Sequence, residues 1–309
     1  MSKAARSVCD VFLVGAPKCA TSSLHSYLRR HPGVFMCSPK EPHFFSTDLP
    51  GLAEVETPAA YEALFADAPT DVVRGEASAF YLRSETAAQN IHAANPDAKI
   101  VLSLRDPVEA SISLYHQLRD GFREDQTRFA ASWDLQEDRA QGKNLPPYAP
   151  EPEQLQYLRV YSYTDQVTRY FDVFGRDRVL VLRFERIKKD PDGVVAELLD
   201  FLDLPPPTDQ HTLTQQNRRR ESRLPGLNRF LAAPPRPLRP LVAPAKRALN
   251  ALGIKPSEVM MKHLSRPADA ERDDTVDPET EARVRAAFMP DIRRLEALLD
   301  WDLSAWKRS

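Results

Sequence analysis

Residues 11–23 read VFLVGAPKCATSS: a short apolar run breaks into a glycine turn with one lysine, and a cluster of hydroxyls follows. Four consecutive apolar residues, Val11 to Val14, suit a strand buried on both faces, and Leu24, Tyr27 and Leu28 then repeat at helical spacing. A strand that feeds directly into a helix belongs to an α/β architecture with a parallel sheet. It also leaves backbone N–H groups, those of Cys19 to Ser22, unpaired at the start of the helix, where the helix dipole adds positive potential. Such a turn is an anion cradle, and Lys18 brings a full positive charge to it.

The order G-x-x-K-x-x-T-S departs from the Walker loop, G-x-x-x-x-G-K-[ST]. Ala20 stands in place of the second glycine, and Cys19 and Ala20 separate Lys18 from Thr21 and Ser22. Gly15, Ala16, Pro17, Lys18, Cys19, Ala20, Thr21, Ser22 and Ser23 therefore read as a cradle for a nucleotide phosphate, without the lysine–hydroxyl step that serves magnesium in ATP-using loops. The alternative for this segment alone is an ordinary strand-to-helix turn whose hydroxyls cap the helix.

Apolar runs alternate with helical periodicities through the rest of the chain. Strands are predicted at 11–14, 72–75, 100–104 and 179–184, and helices near 22–30, 84–94, 107–119, 165–174, 193–202 and 278–300. The fold class that follows is α/β: a P-loop-like parallel sheet flanked by helices on both faces, one domain over residues 1–309. Residues 204–270 are rich in proline and carry a basic run containing Arg218, Arg219, Arg220 and Arg223. This stretch reads as irregular, a functional flap or a disordered segment, and its basic run either covers an anionic ligand, attracts an acidic one, or is a solvated charge run. The polar segment 117–153 is expected to rim the site.

Composition removes several function classes. A formal net charge of -2 gives no global field toward nucleic acid or a membrane surface. No run approaches the roughly 18 apolar residues of a membrane span. The opening MSKAARSVCD lacks the apolar core of a secretory signal, and Cys9, Cys19 and Cys37 have no metal-ligand spacing. A cytoplasmic protein that needs no metal is the expectation. No feature of the sequence reads on oligomeric state.

A second anion motif lies in LSLRDPVEASISLYH at 102–116. The strand ends at Arg105, and Pro107 opens the next helix at its first turn. Ser113 lies about two helical turns along and is placed to share an anion with Arg105. The alternative is an arginine paired with Asp106 on a solvated loop. Open α/β sheets bind ligands beyond the carboxyl ends of their strands, so the turns at 15–22 and 105–113 are expected to converge.

These motifs, GAPKCATSSLHSYLRRHP followed by KEPHFF and later LRDPVEASISLYH, resemble the sulfotransferases that use 3'-phosphoadenosine 5'-phosphosulfate (PAPS). The resemblance is to the heparan sulfate 3-O-sulfotransferase-like branch and its bacterial relatives. VLVLRFERIKKDPDGVVAELLDFLDL at 179–204 and the C-terminal LSAW extend it over most of the chain. It implies that residues 15–23 hold the 5'-phosphosulfate of PAPS, while Arg105 and Ser113 hold its 3'-phosphate. Arg218 and Arg219 are further candidates for the cofactor. The bisphosphate PAP is the product, and no metal takes part.

The same resemblance assigns SPKEPHFFS at 38–46 to catalysis. Glu41 is implied as the general base that takes the acceptor's hydroxyl proton, His43 as its assistant, Lys18 as the group that meets the leaving charge, and Phe44 and Phe45 as packing behind them. The acceptor is a small molecule or glycan. A non-carbohydrate alcohol, phenol or lipid would use the same machinery, and a nucleotide kinase or a non-catalytic nucleotide-binding protein remains open. Ala77 replaces a lysine that several carbohydrate enzymes carry, and Glu76 beside it either orients its neighbours, contacts the acceptor, or is satisfied structurally.

Overall fold

A computed structural model describes residues 8–207, 213 and 276–308, together with the backbone of 220–222 and 265–267. In chain order the strands and α-helices are β1 (Val11–Gly15), α1 (Thr21–Arg30), β2 (Val34–Met36), α2 (Pro58–Ala63), β3 (Val73–Ala77), α3 (Ala87–Ala94), β4 (Lys99–Leu104), α4 (Pro107–Asp120), α5 (Phe129–Asp134), α6 (Gln136–Ala140), α7 (Tyr157–Tyr161), α8 (Tyr163–Phe174), β5 (Val179–Arg183), α9 (Phe184–Lys189), α10 (Pro191–Phe201), β6 (Arg220–Ser222), β7 (Ser265–Pro267) and α11 (Pro278–Leu299).

The first five strands form one parallel sheet in the order β2-β3-β1-β4-β5. Strand β2, only three residues long, escaped the sequence reading because VFM offers no periodicity to recognise. The connection leaving β1 runs toward β2, and the one leaving β4 runs toward β5, so the order reverses between β1 and β4. Crevices at such a reversal are where open α/β sheets bind ligands.

Helices cover the sheet on both faces. Val11 and Leu13 of β1 pack with Leu24, Tyr27 and Leu28 of α1, Ile187 of α9, and Val194 and Leu198 of α10. Phe12 points the other way and meets Phe45 edge-on at 5.7 Å. On that face α8 packs against α3 and α11. Gly15 ends β1 where a Cβ would stand 2.6 Å from Leu82 Cβ and 2.8 Å from the Ala79 carbonyl, so the turn can approach the β3 loop only without a side chain.

The chain divides into two compact units. One comprises 1–114, 156–216 and 278–309 and contains the parallel sheet; the other comprises 115–155 and 217–277. The second contains α5, α6 and the antiparallel pair β6–β7. It is organised around a buried ion pair in which Arg139 donates to both Glu124 oxygens at 2.6 and 2.8 Å. Among the described residues, no helix is long and apolar enough to cross a membrane.

Candidate functional site

The turn at 15–23 joins β1 to α1. Helix α1 starts without a side-chain cap, whereas Thr57 caps α2 and Asp190 caps α10. The hydroxyls of Thr21 and Ser22 therefore do not serve as the ordinary helix cap that was the alternative reading. The backbone N–H groups of Ala20, Thr21 and Ser22 have no protein acceptor among the described residues, and neither do the hydroxyls of Thr21 and Ser22. Cys19 differs from expectation: its N–H turns back to the Ala16 carbonyl at 3.2 Å. Ser23 likewise donates to the Ala20 carbonyl at 2.9 Å.

Gly15, Ala16 and Pro17 shape the turn rather than offer it donors. Ala16 N–H is bonded to Ser103 of β4 at 2.8 Å, and the Pro17 carbonyl accepts from the Tyr161 hydroxyl at 3.2 Å. Lys18 and Ala20 both adopt left-handed backbone, at φ 64° and 70°. Alternating signs of φ turn successive amides toward one point, the geometry of an anion nest. Burial pushes the Cys19 thiol up to about 12, so it packs as a neutral group.

Arg105 leaves the end of β4 beside the cradle. Its guanidinium lies over the Phe184 ring, 4.6 Å from the centroid, and donates to Glu109 at 3.1 and 2.7 Å. Asp106, the alternative partner weighed for Arg105, is taken instead by Arg285 of α11 at 2.9 Å. Glu109 is one helical turn from Ser113, whose hydroxyl is free of protein partners among the described residues. Tyr163 joins the two anion motifs: its hydroxyl donates to the Arg105 carbonyl at 3.1 Å and lies 3.8 Å from the Cys19 sulfur. No spacing signal could have announced that tie, which links positions 144 residues apart.

On the other side of β1, the segment after β2 docks on β3. Cys37 N–H donates to the Gly75 carbonyl and Glu41 N–H to the Ala77 carbonyl, both at 2.9 Å. Glu41 and His43 adopt left-handed backbone at φ 65° and 52°. Four such residues in two short segments concentrate strain at one end of the sheet, a pattern typical of functional sites. His43 Nε2 lies 3.5 Å from Glu41 Oε2, and Lys40 pairs with the other carboxylate oxygen. Burial raises the Glu41 carboxyl, but Lys40 and His43 outweigh it and hold the group well below the usual carboxylate range. Phe44 stacks on Tyr61 at 4.7 Å, and Phe45 meets Tyr61 edge-on at 5.0 Å, so the aromatic pair packs behind the carboxylate.

The strand order β3-β1-β4 thus aligns Glu41 and His43, the cradle, and Arg105 in one row at the carboxyl end of the sheet. The predicted convergence of the 15–22 and 105–113 turns holds. Arg218 and Arg219, also assigned to the cofactor, lie outside the described residues. The aromatics Trp133, Tyr157 and Tyr161 are buried.

Glu76 lies beside Ala77 on β3. Fully buried on β3, it has no hydrogen-bond partner at bonding geometry on either carboxyl oxygen. Burial raises its carboxyl to about 7, offset in part by the nearby hydroxyls of Tyr61, Ser78 and Tyr81. A folded value above the unfolded one means that the native state holds a proton the unfolded chain has lost. The associated stability is complete below about pH 4.5 and disappears as pH rises to about 7, a loss of about 3 kcal/mol. Glu76→Gln is therefore expected to match the wild type in urea denaturation near pH 4.5 and to exceed it by up to about 3 kcal/mol near pH 8. Equal stabilities at both pH values would contradict the burial-driven shift.

The sulfotransferase domain family profile matches residues 9–225. A sulfotransferase crystal structure from Alicyclobacillus acidocaldarius superposes with a TM-score of 0.69 at 30% identity, covering 98% of this chain and 100% of that one. The human heparan sulfate glucosamine 3-O-sulfotransferase 6 is 28% identical over 205 residues, and the mouse carbohydrate sulfotransferase 15 is 27% identical over 250. Each of those matches covers 63% of this chain, and it spans 52% and 44% of the respective relative.

Proposed function

The chain belongs to the sulfotransferase domain family, and from that premise we propose that it moves the sulfuryl group of PAPS to a hydroxyl of a carbohydrate or glycosylated metabolite. The observation that carries this reading is the row of ionised carboxylate, unpaired cradle amides and arginine at the carboxyl ends of β3, β1 and β4. PAPS, when bound, supplies an activated sulfuryl group flanked by two phosphates. The residues present fit it: one anion cradle lies on each side of the sheet's reversal point.

In this reading Ala20, Thr21 and Ser22 donate N–H groups to the 5' phosphate, and Lys18 meets the charge that grows on the leaving oxygen. Arg105 and Ser113 hold the 3'-phosphate, with Glu109 giving way as the guanidinium exchanges a carboxylate for a phosphate. Glu41 takes the hydroxyl proton. Lys40 and His43 keep it unprotonated before the reaction, while the same pairing lowers its basicity. The carbohydrate preference rests on the relatives' acceptors. A cytoplasmic setting belongs to the same proposal, resting on three buried free thiols.

Arg105→Ala is expected to weaken binding of adenosine 3',5'-bisphosphate roughly 10- to 100-fold, as loss of a charged hydrogen bond does. Calorimetry would read it, and wild-type affinity would remove Arg105 from the 3' site. The function itself is tested by incubating isotope-labelled PAPS with a panel of glycans, alcohols and phenols and detecting products by mass. Label on a hydroxyl acceptor supports the reading. Bisphosphate binding with no labelled product on any acceptor would instead mark a non-catalytic nucleotide-binding protein.

A further inference from the structure

Two hydroxyls hold the 43–45 segment from below. Ser78 Oγ accepts the His43 N–H, and Tyr81 Oη accepts the Phe45 N–H, each at 3.1 Å. A hydroxyl that accepts one hydrogen bond still has its own proton to donate. Both hydroxyls neighbour Glu76, and the Tyr61 hydroxyl, against which Phe44 and Phe45 pack, is a third. Glu76 is paired in register with Phe12 and so projects from the same sheet face, toward the layer where Phe12 meets Phe45. One hydroxyl therefore stands between the buried carboxyl and each of the backbone N–H groups of His43 and Phe45.

We propose that Glu76 is a positioning residue: by accepting the protons of Ser78 and Tyr81 it strengthens their hold on His43 and Phe45 and so fixes the catalytic segment. This rests on the reading that residues 41–45 are catalytic. An ionised carboxylate accepts more strongly than an acid and polarises the hydroxyls bound to it, which makes them better acceptors in turn. The segment is accordingly held most firmly when Glu76 is charged. The titratable groups that act on Glu76 or feel it are Cys9 before β1, Cys37 after β2, Tyr61 of α2, Tyr81 after β3 and Tyr170 of α8, all neutral near pH 7. Glu76 itself titrates near there, while Glu41 does not. Turnover should thus rise with pH through neutrality.

The test compares kcat against pH, bisphosphate affinity, and amide hydrogen exchange at His43 and Phe45 in the wild type and Glu76→Gln. The expected result is a kcat reduced roughly 10- to 100-fold, as small misplacements of catalytic groups produce. The acid limb near pH 7 should vanish, bisphosphate affinity should stay within about twofold, and both amides should lose exchange protection. A retained acid limb, unchanged kcat or an equal loss of bisphosphate affinity would overturn the proposal. If Glu76→Gln fails to fold, Ser78→Ala serves instead, with the same loss of protection at His43 and of kcat required. Exchange also separates the two readings. An inactive wild type whose His43 and Phe45 amides still depend on Glu76 would sink the proposed function and leave this positioning intact, whereas exchange that ignores Glu76 in an active enzyme would sink the positioning alone.

Discussion

Lys18→Ala is expected to lower kcat by roughly 10²- to 10³-fold, close to abolishing turnover. A donor aimed at charge that develops in the transition state is commonly worth about 3 to 4 kcal/mol in a closed site, and Lys18 is the cation within the 15–23 cradle. Its neighbours cannot replace it. The Ala20, Thr21 and Ser22 amides lack a full charge, and Cys19 has its amide turned inward and its thiol neutral. The fold should survive the change, because alanine pays the same left-handed backbone strain at φ 64° as the lysine it replaces. Single-turnover measurement with saturating PAPS would read the chemical step directly. A variant that kept most of the wild-type rate would show that the leaving charge is met elsewhere.

Glu41→Gln should separate chemistry from binding. The glutamine keeps the shape of the side chain and its place beside Lys40 and His43 but cannot take a proton, so kcat is expected to fall roughly 10²- to 10⁴-fold while bisphosphate affinity stays near the wild-type value. The backbone bond from residue 41 to Ala77 does not depend on the side chain, which keeps the segment docked. Unchanged turnover would remove Glu41 as the base. Because Lys40 and His43 hold its carboxyl low, Glu41 should contribute no acid limb near neutrality, which leaves any such limb in the wild type to another group.

Much of the site was legible because its signals are local. VFLVG followed by a lysine and hydroxyls specifies a strand, a turn and a helix start within 13 residues, and Pro107 after Arg105 marks a strand-to-helix junction in the same way. What the chain concealed depends on neighbours brought together by the sheet. Phe184 beneath the Arg105 guanidinium, Asp106 held by Arg285, and Tyr163 spanning both cradles all involve side chains whose types carry no pattern of their own, whereas the Arg105–Glu109 pair is a local i, i+4 contact. The same holds for Glu76. Its sequence, GEASAFYL, shows a carboxylate at a strand end, and only the packing of Tyr61, Ser78 and Tyr81 around it reveals that it is buried among hydroxyls. The inward turn of the Cys19 amide follows from the left-handed residues flanking it, a backbone choice that non-glycine sequence does not announce.

The central claim is that two turns on adjacent strands grip opposite ends of one adenosine nucleotide and leave its reactive group beside Glu41. The most direct measurement is a crystal structure of the protein with adenosine 3',5'-bisphosphate. The account predicts the 5'-phosphate against the amides of Ala20, Thr21 and Ser22 with Lys18 beside it, and the 3'-phosphate on Arg105 and Ser113, with Glu109 displaced from the guanidinium. A bisphosphate seated away from β1 and β4, or one that leaves the Arg105–Glu109 pair intact and the cradle amides uncontacted, would contradict it.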